Sequence, residues 1–167
     1  MTSRIIGLDQ RYTASASLVR HGVEIIAVRD ELGARFDSAT RSLFRLIQRD
    51  GPGVWDHLAG AAKALRWRLI TDPMPIERNA QLTAAAGEVG RQARQLIGAV
   101  DEDALLREIA DAAAALCTRD PLVGAVLRES LTEVGPESAV VVAASSRSRE
   151  ALGEWLGSLG ARVLTLG

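Results

Sequence analysis

The stretch that most narrows what this chain can fold into lies at its end. Ala139–Ala143 is an unbroken apolar run. Ser146–Leu159 follows with Leu152, Trp155, Leu156 and Leu159 at helical spacing, and Gly160 leads into a second strand-like run, Arg162–Leu166. A strand, a helix of this length and a returning strand form a βαβ unit, in which the two strands lie parallel. A continuous apolar strand is expected where a sheet is covered on both faces. The class that follows is α/β. Beyond the carboxyl end of such a strand a ligand loop normally begins, and here only Gly167 remains.

Upstream, the sequence predicts helices. Asn79 is placed to cap one whose apolar face carries Leu82, Ala86, Val89, Ala93, Leu96 and Ile97, with Gly98 as its stop. A second follows Asp101, with Leu105, Leu106, Ile109, Ala112, Ala113 and Leu116 on one side. A third is expected to start with Asp120 at the cap and Pro121 in the first turn, to bury Val123, Val126, Leu127 and Leu131, and to close at Gly135-Pro136. Trp55 to Trp67 is helical around Leu58, Ala61, Ala62 and Leu65, and Asp72-Pro73-Met74-Pro75 ends that section. Ser42–Ile47 fits strand or helix equally, and Asp50-Gly51-Pro52-Gly53 forces a turn. The first thirty residues read as β: Arg4–Leu8, then Ser15–Arg20 and Val23–Arg29 about a His21-Gly22 turn.

Bulk properties exclude several classes. The 167 residues suit one domain, 1–167, with 47% hydrophobic and 25% charged residues. A net charge of −1 leaves no basic footprint for nucleic acid. No run approaches the ~20 apolar residues of a membrane span, and the N-terminus has no secretory pattern. The single Cys117 rules out an internal disulfide and suits a reducing compartment, so a cytoplasmic location is expected. His21 and His57 are isolated and form no metal-ligand spacing.

Several short segments resemble, in order, the first lobe of the nucleotide-binding domain of DnaK-type heat-shock chaperones. Ile5-Ile6-Gly7-Leu8-Asp9 with Thr13-Ala14-Ser15 is similar to that family's opening strand and phosphate turn. His21–Ala27 looks like its next strands, Leu58–Lys63 its V-G-x-A-A-K segment, and Thr71-Asp72-Pro73 its T-N-P. Val140–Leu152 is similar to its V-P-A strand and R-x-A helix, and Leu159–Val163 to the entry of its last strand. The resemblance implies an RNase H-like, actin-like ATPase lobe I: N-terminal β-hairpin strands, a helical middle and a C-terminal βαβ. It implies ATP or ADP with magnesium as ligand, bound weakly or not at all by this chain alone.

Carried over residue by residue, Asp9 would order the waters around magnesium, an outer-sphere role suited to a hydrated hard cation. Asp9, Gln10, Arg11, Tyr12 and Thr13 would form the phosphate turn, and Lys63 would be the catalytic lysine beside the transferred phosphoryl. Ala143 and Arg147 fall on interlobe signalling positions, Ala143 in place of the family's proline. Arg11 and Tyr12 stand where the family has Gly-Thr, so close backbone approach to phosphate is in doubt. The expected partner is a second lobe or another protein, met through the C-terminal strand region, with no nucleic acid and no membrane. Read without the resemblance, Asp9 caps a turn and Lys63 is a solvated lysine. A pseudo-ATPase protein-binding module and a small RNase H-like nuclease or resolvase are the alternatives, the latter needing further strand-end carboxylates. The last segment alone also has the outline of a response-regulator receiver or of the start of a helicase's second motor lobe, but neither accounts for the first seventy residues.

Overall fold

In a computed structural model of the chain, residues 26–165 are described. The expected strands Arg4–Leu8 and Ser15–Arg20, and the first part of Val23–Arg29, lie outside these residues; the described remainder, 26–29, is not strand.

Four helices form the larger part: α1 (Glu31–Asp50), α2 (Asp56–Thr71), α3 (Ala80–Leu96) and α4 (Asp103–Ala115). They close a ring in which α1 packs on α2 and α4, α2 on α3, and α3 on α4. The reason is in the periodicity. Phe36, Ala39, Thr40, Leu43 and Leu46 recur at three- and four-residue intervals, which stacks them on one face of α1. Leu58 and Leu65 of α2, Leu82 and Val89 of α3, and Leu106 and Ile109 of α4 meet that face and exclude solvent completely. Each such side chain contributes about 1.5–3 kcal/mol by leaving water. Thr40 is tolerated in this core because its hydroxyl donates back to the carbonyls of Phe36 and Asp37.

The caps follow local chemistry. Asp30 Oδ1 accepts from the Leu32 amide and also from Arg119, which ties the start of α1 to the chain leaving α4. Asn79 Oδ1 accepts from the Leu82 amide, as the sequence predicts for α3.

A second, smaller core surrounds α5 (Leu122–Val134), β1 (Val140–Ala143), α6 (Ser146–Gly157) and β2 (Arg162–Thr165). Met74, Leu131, Ala143, Leu152, Trp155 and Leu156 form its buried centre. The βαβ unit exists as expected: β1 and β2 pair in parallel, Val140 opposite Arg162 through to Ala143 opposite Thr165. One packed face of this pair rests on α6.

The expected actin-like lobe is overturned. Helical segments account for 71% of the described residues, and among those residues the sheet holds only two short parallel strands, where such a lobe requires a multi-stranded sheet. The physical cause is the stretch 31–116, whose 3.6-residue periodicity closes a helical core of its own instead of packing on a sheet. Three finer expectations also change. β1 is not covered on both faces by the described residues, since Val140 and Val142 are exposed. Asp120 does not cap α5: its carboxylate accepts from the Ile76 amide, and Pro121 holds the N-cap position without a side-chain bond. Val123 points outward, and Gly124 is the buried residue of that turn.

Candidate functional site

The two cores meet at Asp72-Pro73-Met74-Pro75, a segment that reads as a loop yet is almost wholly buried. Asp72 is 3% exposed. Its carboxylate accepts from Arg68 at 2.7 Å on one oxygen and from the Ser148 hydroxyl at 2.8 Å on the other. Its backbone carbonyl accepts from the Asn79 side-chain amide at 2.6 Å. Ser145, the N-cap of α6, accepts from the Ser148 amide and donates to the Ser148 hydroxyl. A charged side chain can remain buried at this point because every oxygen is partnered. Among the described residues no buried side-chain nitrogen or oxygen lacks a hydrogen bond.

Backbone packing reinforces this junction. A Cβ built on Gly124 would sit 1.9 Å from the Pro73 carbonyl oxygen and 3.3 Å from Cη2 of Trp155. Only glycine lets the first turn of α5 come so near the Pro73 backbone. The junction therefore fixes the end of β1 and the start of α6 against the bundle.

What the junction leaves open is the other face of the strand pair. Val140 is 49% exposed, Val142 53% and Leu164 46%. Strand alternation and the register put them side by side with Arg162, which lies opposite Val140. Parallel sheets are normally covered on both faces, and among the described residues this face carries an exposed apolar patch. Arg162 has no carboxylate within 4 Å among the described residues.

Of the residues singled out in the sequence, Lys63, Ala143 and Arg147 are described. Asp9, Gln10, Arg11, Tyr12 and Thr13 lie outside the described residues. Lys63 is exposed on α2, its ammonium 5.5 Å from the centre of the Phe44 ring, a cation–π contact within the bundle. Ala143 is buried at the end of β1 in the second core, and Arg147 is exposed in the first turn of α6. The structure thus brings Ala143 and Arg147 into one unit and leaves Lys63 in the other. Asp72, Asn79, Ser145 and Ser148, which do meet, escape sequence reasoning because Asp72 and Ser148 are 76 residues apart.

Burial raises the Cys117 thiol above its usual value, against a smaller lowering by a hydrogen bond with Thr83, which disfavours the thiolate. No group of three metal-ligating side chains occurs among the described residues. No described helix is long and apolar enough to cross a membrane. No family model matches the chain, and no curated protein or solved structure is significantly similar to it.

Proposed function

We propose that this chain is a protein-binding module that engages its partner through the open face of β1 and β2. The observation that carries this reading is the adjacent exposure of Val140, Val142 and Leu164 on a parallel pair that the described residues cover on one side only. The partner supplies an apolar strand or helix face with a carboxylate at its edge to meet Arg162. Three side chains fall well short of the roughly 800 Å² per partner of a standard interface. Main-chain bonding along a strand edge that no described strand pairs with supplements such a small patch, as in strand addition. The bundle acts as the rigid support, and the buried Asp72 junction keeps the strand pair in a fixed orientation. The reducing compartment suggested by the lone Cys117 supports a cytoplasmic setting.

Photocrosslinking tests this. A benzophenone side chain at position 142 is expected to yield a discrete adduct in cells, and one at exposed position 87 on α3 is not. Leu164→Asp should abolish the adduct and Arg162→Glu should weaken it, with the melting temperature unchanged in both variants. Equal adducts from positions 142 and 87, or an adduct indifferent to both substitutions, would sink the proposal.

A further inference from the structure

Beside the second core lie two adjoining clefts of about 240 and 290 Å³ that share Arg78 and Trp155 and include no strand residue in their lining. The first lies between α5, the end of α6 and the turn that follows Pro75, and is bounded by Pro75, Glu77, Arg78, Arg128, Trp155 and Leu159. Arg78 and Arg128 come from different elements, and neither has a carboxylate within 4 Å among the described residues. Two guanidinium forks facing one cleft match a planar oxyanion, which each can bind in bidentate fashion. Pro75 and Leu159 line the cleft beside them, with the nearly buried Trp155 as its floor.

Charge narrows the ligand further. Glu77 lines the same cleft, so its three ionised side chains leave a surplus of one positive charge, and Glu154, which lines the adjoining cleft with Arg78, adds a further negative charge beside it. The carbonyl end of α6, at its C-cap Ser158, also borders it and adds partial negative charge. The Ser158 hydroxyl donates to the Trp155 carbonyl and so offers nothing to an anion. A single negative charge is neutralised in this setting, whereas a phosphate dianion meets both Glu77 and the helix end. We infer that the Arg78–Arg128 cleft binds a monocarboxylate carried on a flat apolar body. The carboxylate belongs either to a small free acid or to the C-terminus of a peptide ending in an aromatic residue. This site is separate from the open strand face and does not depend on the function proposed for it.

The test follows the indole N–H signals of the three tryptophans by NMR, with the Trp155 signal assigned by Trp155→Phe. Probes are benzoate, an acetylated tetrapeptide ending in phenylalanine as the acid and as the amide, and inorganic phosphate, all at matched ionic strength. The expected result is a saturable shift of Trp155 alone with benzoate or the peptide acid, and none with the peptide amide or phosphate. Saturation by benzoate alone identifies a small acid, and tighter saturation by the peptide acid identifies a peptide terminus. Arg78→Gln and Arg128→Gln should each weaken that binding by about fivefold or more, while Arg149→Gln leaves it unchanged. Shifts that fail to saturate, that phosphate reproduces, or that survive both arginine substitutions overturn the inference.

Discussion

Replacing Gly124 by alanine opposes two effects whose sizes are known. In a helix interior, glycine costs roughly 1 kcal/mol relative to alanine, so an unopposed Gly124→Ala would stabilise α5. The added methyl, however, would lie 1.9 Å from the Pro73 carbonyl oxygen and 3.1 Å from its carbon, both backbone atoms that cannot swing aside. To restore ordinary contact the first turn of α5 must retreat from Pro73 by more than an ångström, and Trp155 at 3.3 Å must move with it. Overpacking of this kind typically costs about 1–3 kcal/mol, and the first turn gains less than the full propensity benefit. The steric term wins. For a chain of this size a loss of about 2 kcal/mol lowers the melting temperature by roughly 4–8 °C. Gly87→Ala in α3 is the matched control, because nothing lies within 4 Å of its added Cβ. That variant should gain about 0.4–1 kcal/mol. Scanning calorimetry of the two variants beside the parent decides the matter. A Gly124→Ala protein that melts at or above the parent temperature would refute the close approach of α5 to Pro73.

Two further substitutions probe the junction and the thiol. Asp72→Ala leaves Arg68 and Ser148 without their buried acceptor, and urea unfolding should register a loss of about 3 kcal/mol. Ser148→Ala should cost about 1 kcal/mol, and the double variant less than the sum; strict additivity would mean that the two side chains do not interact. Because the Cys117 thiol is raised by burial in the folded chain, alkylation by iodoacetamide at pH 8 should run slower than in the urea-unfolded chain, and equal rates would contradict its placement.

How much of this was visible in the sequence varies from element to element. α3 and α4 are legible because Asn79 supplies a side-chain cap and the apolar period runs unbroken for three turns or more. α1 is harder. Ser42–Ile47 on its own is too short to separate strand from helix, and the deciding evidence is Phe36 and Ala39 one and two turns earlier, across the polar Ser38 and Thr40. The β1–α6–β2 unit is legible as a unit, but a run such as Ala139–Ala143 cannot report whether one or both faces are covered. The resemblance to a nucleotide-binding lobe rests on short segments, and it carries no information about how many strands the middle of the chain can supply. Asp72-Pro73-Met74-Pro75 has the composition of an exposed turn; only Gly124, Ser148 and Trp155, fifty or more residues later, bury it. The Arg78–Arg128 cleft is hidden for the same reason.

The bond between Asp72 and Ser148 also sets an order of events. Every helix of the ring is complete once Ala115 has been made, and its contacts are between neighbours in sequence apart from the α1–α4 closure. Short-range contacts form fast, and closures over long stretches of chain come later. On the ribosome the bundle can thus condense while Asp72 still faces water as a hydrated charge. The aspartate loses that hydration only when Ser148 emerges to replace it. A chain halted between these two residues presents an assembled bundle with an open buckle, before either strand has been fastened to it.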